Sequence, residues 1–144
     1  MNKLLLALLS ILALAACGGS TAAAPPVPKI NFTMGAQNAS AASGSGEIVK
    51  GTGSFTVAIK LTGLAPNSSH ISHIHVGTCS VPGGVAFALQ ETVADSAGVA
   101  TVTTTVPAGY LVPAFGWYVN IHHGPDFSAP ANAPSVSCGD LPVA

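Results

Sequence analysis

Apolar and polar residues alternate over short runs along most of this chain, and a period of two predicts strands. Ile30, Phe32 and Met34 alternate with Asn31 and Thr33, and Phe55, Val57, Ile59 and Leu61 alternate with Thr56, Ala58, Lys60 and Thr62. Further strands are predicted over residues 70–76, Val85–Leu89, Val99–Val106 and Trp117–His122. Turn signals separate them: Ala65-Pro66-Asn67-Ser68, Pro82-Gly83-Gly84, Asp95-Ser96-Ala97-Gly98, and Pro113 to Gly116. Residues 37–46, rich in Ala, Ser and Gly, read as turn or loop, and so does Ser128–Pro134. No stretch after residue 16 carries helical periodicity. Short strands broken by turns about every ten residues predict an all-β domain, a sandwich or a barrel.

The first segment has a different pattern. Lys3 precedes an apolar run from Leu4 to Ala16, too short for the ~20 residues that span a bilayer. It reads as a secretory signal over residues 1–16. Leu14-Ala15-Ala16-Cys17 resembles the bacterial lipobox, in which the Cys is acylated and becomes the mature N-terminus. Residues 17–28 then form the lipidated Cys and a Gly-, Ala- and Pro-rich tether, and the folded domain occupies residues 29–144. The expected location is extracytoplasmic, in the periplasm or at the cell surface, with the membrane reached through the lipid alone.

Composition narrows the function. The chain has 144 residues, 49% of them hydrophobic and only 6% charged. All four basic residues are lysines, so there is no arginine. Nucleic-acid binding by phosphate neutralisation needs a basic patch, which this chain lacks. After removal of residues 1–16, three lysines face five acids, for a net charge of 3 − 5 = −2. No G-x-S-x-G motif marks a serine hydrolase.

With Cys17 lipidated, Cys79 and Cys138 remain. In an oxidising compartment two thiols tend to pair; free thiols or metal ligation are the alternatives, although neither Cys has a partner at zinc-finger spacing. The five histidines fall in two clusters, His70, His73 and His75, then His122 and His123. Strand parity puts Ile74 and Val76 on the core face and His73 and His75 on the other. The same argument turns Trp117, Val119 and Ile121 inward and Tyr118, Asn120 and His122 outward. If the two strands are neighbours, three imidazoles converge on the outer face of one sheet, a donor set suited to copper, with zinc as the alternative. His70 and His123, at strand ends, are candidate fourth ligands. The competing reading is a polar strand face with solvated histidines. Asp126 is a candidate partner for a ligating His or a solvated loop residue.

His73-Ile74-His75, the nearby Cys79, the late Val119-Asn120-Ile121-His122 and the terminal Cys138-Gly139 resemble the copper/zinc superoxide dismutase superfamily over roughly residues 30–142. The resemblance implies a Greek-key β-sandwich, copper ligation by His73, His75 and His122, and a Cys79–Cys138 disulfide. The HIH and YVNIHH segments are also similar to the CHRD domain, a β-rich extracellular module. Two departures stand out. No His lies between His75 and His122, so the bridging imidazole and the zinc subsite of the dismutase family are missing. Its anion-steering Arg before the last Cys is missing too, where this chain has Ser135-Val136-Ser137.

Three functions are compatible with these residues: a copper-binding dismutase-like domain, a copper-only dismutase acting on superoxide, and a metal-free CHRD-like structural or interaction domain. The lipobox makes a separate prediction. Replacing Cys17 by Ser is expected to abolish acyl labelling and lipoprotein-type cleavage; labelling that persists in this variant rules out acylation at Cys17.

Overall fold

A computed structural model describes residues 26–143. The expected signal segment, Cys17 and most of the expected tether lie outside the described residues. The domain is all-β and sandwich-like. Ten strands are described: β1 (Lys29–Ala36), β2 (Ser43–Lys50), β3 (Phe55–Thr62), β4 (Ser69–His70), β5 (Ser72–Gly77), β6 (Pro82–Ala88), β7 (Thr92–Val93), β8 (Ala100–Val106), β9 (Trp117–His122) and β10 (Ser135–Asp140). Eight form one curled antiparallel sheet in the order β6-β5-β9-β10-β1-β2-β3-β8, and β4 pairs with β7. β10 returns to lie beside β1, so the first and last strands of the domain are neighbours.

β1 is the seam between the layers. Lys29–Met34 pair with β2, whereas Gly35 and Ala36 pair with Cys138 and Ser137 of β10. The sheet curls at this strand and closes on a core that includes Phe32, Met34, Ile48, Phe55, Ile74, Val119 and Ile121. Phe55 anchors one end of the core, with Trp117 stacked on it at 6.0 Å and Tyr110 edge-on at 5.2 Å. Ser72 and Thr92, both buried, bond to each other at 2.7 Å, so the crossing strands carry no unpaired hydroxyl there.

Three strands escape the alternation argument, the two-residue β7 among them. The first half of β2 falls in the segment expected to be loop, because Ser43-Gly44-Ser45-Gly46 has low strand propensity. Packing explains the glycine at position 46: a Cβ there would lie 2.0 Å from Cζ of Phe32, whose ring covers the strand. β10 has Ser, Cys and Gly among its residues and shows no plain alternation, yet it is buried from Val136 to Gly139. Ser128–Pro134 is loop as expected, with one 3-10 turn at Pro130–Asn132.

Cys79 and Cys138 form a disulfide, with their Cα atoms 5.9 Å apart. It closes a segment of sequence separation 59, a constraint worth about 4 kcal/mol in the chain-entropy account. The bond ties the loop after β5 to β10, across the top of β9.

The Phe32–Gly46 contact yields a stability prediction. Gly46→Ala is expected to destabilise the domain by about 1–3 kcal/mol or more through overpacking. Phe32→Leu in the same chain should recover part of that loss, since the two residues share one contact. Urea unfolding of the single and double variants measures both effects, and a neutral Gly46→Ala excludes this account of the glycine.

Candidate metal centre

β5 and β9 are neighbours, and their register decides the site. Ser72 lies opposite Ile121, His73 opposite Asn120, Ile74 opposite Val119 and His75 opposite Tyr118. Ile74, Val119 and Ile121 fill the core, so the histidines face away from it. His122 stands one step along β9 on the same face as Asn120, diagonal to His73. His73, His75 and His122 each offer a ring nitrogen, and these atoms lie within 4.8 Å of one another.

The face is not open to solvent, contrary to the solvated-histidine reading. His73, His75 and His122 are only 7%, 9% and 6% exposed. Tyr118 stacks on His75 at 5.1 Å between ring centroids. The loop after β9 folds back and lays Phe127 over the cluster, stacked on His73 at 5.8 Å and edge-on to His122 at 4.9 Å. Asp126 holds this loop in shape by accepting bonds from the Ser128 amide, the Ser128 hydroxyl and the Asn132 side chain. It is thus a loop-shaping residue, and no histidine is among its partners. The Ser128 bonds hold its carboxyl below the ordinary carboxylate value.

Backbone carbonyls set two of the three rings. His75 donates its Nδ1–H to the Gly83 carbonyl at 2.9 Å, and His122 donates its Nδ1–H to the Ala133 carbonyl at 2.6 Å. Only Nδ1–H can serve a carbonyl, so both rings present Nε2 as a lone pair. Gly83 can come this close because it has no Cβ; one would sit 2.4 Å from the Val76 carbonyl oxygen. The lone pair of His75 Nε2 is buried without a partner, as is Nδ1 of His73. Asn120 Nδ2 contacts His122 Nε2 at 3.2 Å, and Asn120 Oδ1 accepts a bond from the Ser135 hydroxyl.

Leaving a buried polar atom unpaired costs about 1–3 kcal/mol, and here two such atoms face a third imidazole. A metal cation suits this set of neutral donors with oriented lone pairs, held by carbonyls behind them. The residues present therefore fit a metal ion. Burial, followed by the neighbouring imidazoles His122 and His75, lowers the pKa of His73. Burial also lowers that of His122, against the opposing effect of the Ala133 carbonyl. Both rings are kept in the neutral form that ligation requires.

The other two histidines lie elsewhere. His70 is buried, with Nδ1 bonded to the His122 carbonyl at 2.8 Å and Nε2 to the Ser68 hydroxyl at 2.7 Å. Both of its nitrogens are engaged, so it braces the ligand strand from behind. His123 is exposed and lines a separate surface cavity with Asn38, Ser40 and Val136. Neither belongs to the three-His group. Phe127 and the Gly83 and Ala133 carbonyls had no signal in the strand pattern, because all three reach the site from loops or an irregular edge. Among protein-family models and curated proteins, none matches this chain.

The lowered histidine values set a pH response. Unfolding raises them to the ordinary 6.5, so below that pH the unfolded chain binds protons that the folded chain does not. Stability of the metal-free domain is expected to be full above about 6.5 and to fall as pH drops toward the lowered values. NMR titration should show the His73 and His122 rings protonating below 6.5; titration at or above that value contradicts the buried, mutually repelling cluster.

Proposed function

We propose that this chain is a lipid-anchored, extracytoplasmic, dismutase-like domain that binds one copper ion through His73, His75 and His122. The observation that carries the reading is the pair of buried, unpartnered nitrogens, His73 Nδ1 and His75 Nε2, beside His122. The order of the HIH pair, the disulfide and the later His supports the superfamily assignment. The short apolar N-terminal run ending in Cys17 supports export and anchoring.

Copper is preferred to zinc on the donor set. Three imidazoles accept either ion, but nitrogen sites bind copper(II) more tightly than zinc, the three match the copper ligands of the resembled family, and its zinc-type cluster has no residues here. Copper would supply one-electron chemistry at a position left open by three ligands. The chain's own part is to orient the rings through Gly83 and Ala133 and to screen them with Phe127 and Tyr118. Binding ranks above dismutation because superoxide is an anion and nothing here steers it. The chain has no arginine, and the nearest covering loop carries the exposed acid Asp126. Steering of the right sign raises association rates by about 10 to 10³.

Copper stoichiometry of protein purified without a His tag, with zinc as competitor, is the deciding measurement. The wild type is expected to hold one copper. His75→Ala and His122→Ala should lose more than the ~10–100-fold in affinity that removal of an outer partner costs. Equal copper in all three proteins refutes the site. Efficient copper-dependent superoxide decay by the wild type reverses the ranking of binding over turnover.

A further inference from the structure

The two ends of the sandwich differ in chemistry. Where β1 begins, several strand termini gather: Lys29 lies opposite Val49, Lys50 opposite Phe55, and Phe55 opposite Val106. The loop from β8 to β9, residues 107–116, crosses this end. Tyr110 turns inward from it, but Leu111 and Phe115 are each 80% exposed. The Tyr110 hydroxyl donates to the Pro142 carbonyl at 2.7 Å, which brings Val143, 81% exposed, to the same place. Lys50 Nζ stands 5.9 Å from the Tyr110 ring centroid.

Charge follows the same axis. From Ser96 to Pro125 the chain has no Asp, Glu, Lys or Arg. Lys29 is paired with Glu47 at 3.0 Å, and Lys50 is matched at this end by Asp140, opposite Tyr118, whose carboxylate accepts the Cys79 amide, so the end is close to neutral. Glu91, Asp95 and Asp126, together with Lys60, lie toward the other end, as do His122 and the Phe127 loop. Large apolar side chains grouped in the open mark an interaction site. The link to Cys17 leaves the domain at Lys29, on this end. Residues 18–28 hold it within on the order of 40 Å of whatever Cys17 is attached to.

We propose that Leu111, Phe115 and Val143 dock on the surface of a lipid bilayer, with Lys50 against anionic headgroups and the metal centre facing away. The proposal rests on the lipid-anchor reading for the attachment of Cys17. A charge-free apolar loop beside one cation is the composition that enters an interfacial zone, where exposed peptide groups still meet water and headgroups. Three of the five acids, Glu91, Asp95 and Asp126, sit at the far end, while Glu47 is paired with Lys29 and Asp140 is tied to the Cys79 amide.

The test uses the mature chain coupled through the Cys17 thiol to a maleimide lipid, which makes it independent of natural acylation. Vesicles of phosphatidylethanolamine and phosphatidylglycerol carry brominated acyl chains as quenchers. Phe115→Trp is expected to be quenched several-fold more than Ala131→Trp at the opposite end, with wild-type Trp117 as the background. Leu111→Ser should reduce the quenching at position 115 while copper stoichiometry stays at the wild-type value. Equal quenching at the two positions, or none at 115, overturns the proposal. So does self-association without lipid that Leu111→Ser abolishes, which would assign the patch to a second copy of the chain. Acyl labelling of Cys17 in cells tests the anchor by itself.

Discussion

The antiparallel register of β5 against β9 is the constraint on which both core and metal centre depend. His73 opposite Asn120 and His75 opposite Tyr118 put Ile74, Val119 and Ile121 together on the inner face. A slip of one residue would expose those three and bury the polar set, because side chains alternate with a period of two. The apolar half of each strand therefore specifies the alignment, and the histidines are carried into proximity by it. Binding chemistry on one face is paid for by burial on the other.

Proximity alone does not make a ligand set. What distinguishes this cluster from a row of surface histidines is the direction of its lone pairs. The Gly83 and Ala133 carbonyls take one proton-bearing nitrogen from His75 and His122 respectively and leave the opposite nitrogen pointing into the cluster. Both carbonyls belong to backbone outside the β5–β9 pair, one on the irregular edge strand β6 and one just after the 3-10 turn. Edge irregularities of this kind commonly re-aim groups beside functional sites. Phe127 covers His73 and His122, whose burial keeps them neutral.

The scarcity of charge has a structural side as well. With so few ionisable groups, ion pairing contributes little; the one salt bridge among the described residues is Lys29–Glu47, on the surface. Stability rests instead on the shared core, the sheet ladders, the disulfide and hydroxyl bonds such as Ser72–Thr92. The same scarcity lets the few charges there are define a polarity between the two ends of the sandwich.

Much of this was legible in the residues. Alternation in Phe55–Leu61 and Trp117–His122 marked strands because one face of each is buried, and parity alone separated His73, His75 and His122 from the core. Residue types also carried the pairing of two cysteines, the absence of a basic surface and most of the turns, although Pro82-Gly83-Gly84, expected as a break, opens strand β6. Tertiary structure decided the rest, for reasons that no local pattern contains. β2 is a strand because it is paired on both sides, with β1 and with β3, contacts between chain segments that its own residues do not signal. His70 is engaged by Ser68 and the His122 carbonyl, so its parity at a strand end said nothing of its partners. The burial of the three-His face depends on a loop folded back from the far side of β9. Its fold turns on three bonds to Asp126 and on a ring, Phe127, whose place over His73 only the assembled sheet provides. Periodicity reports which side of a strand is apolar; which loop covers the other side is set by long-range closure of the chain.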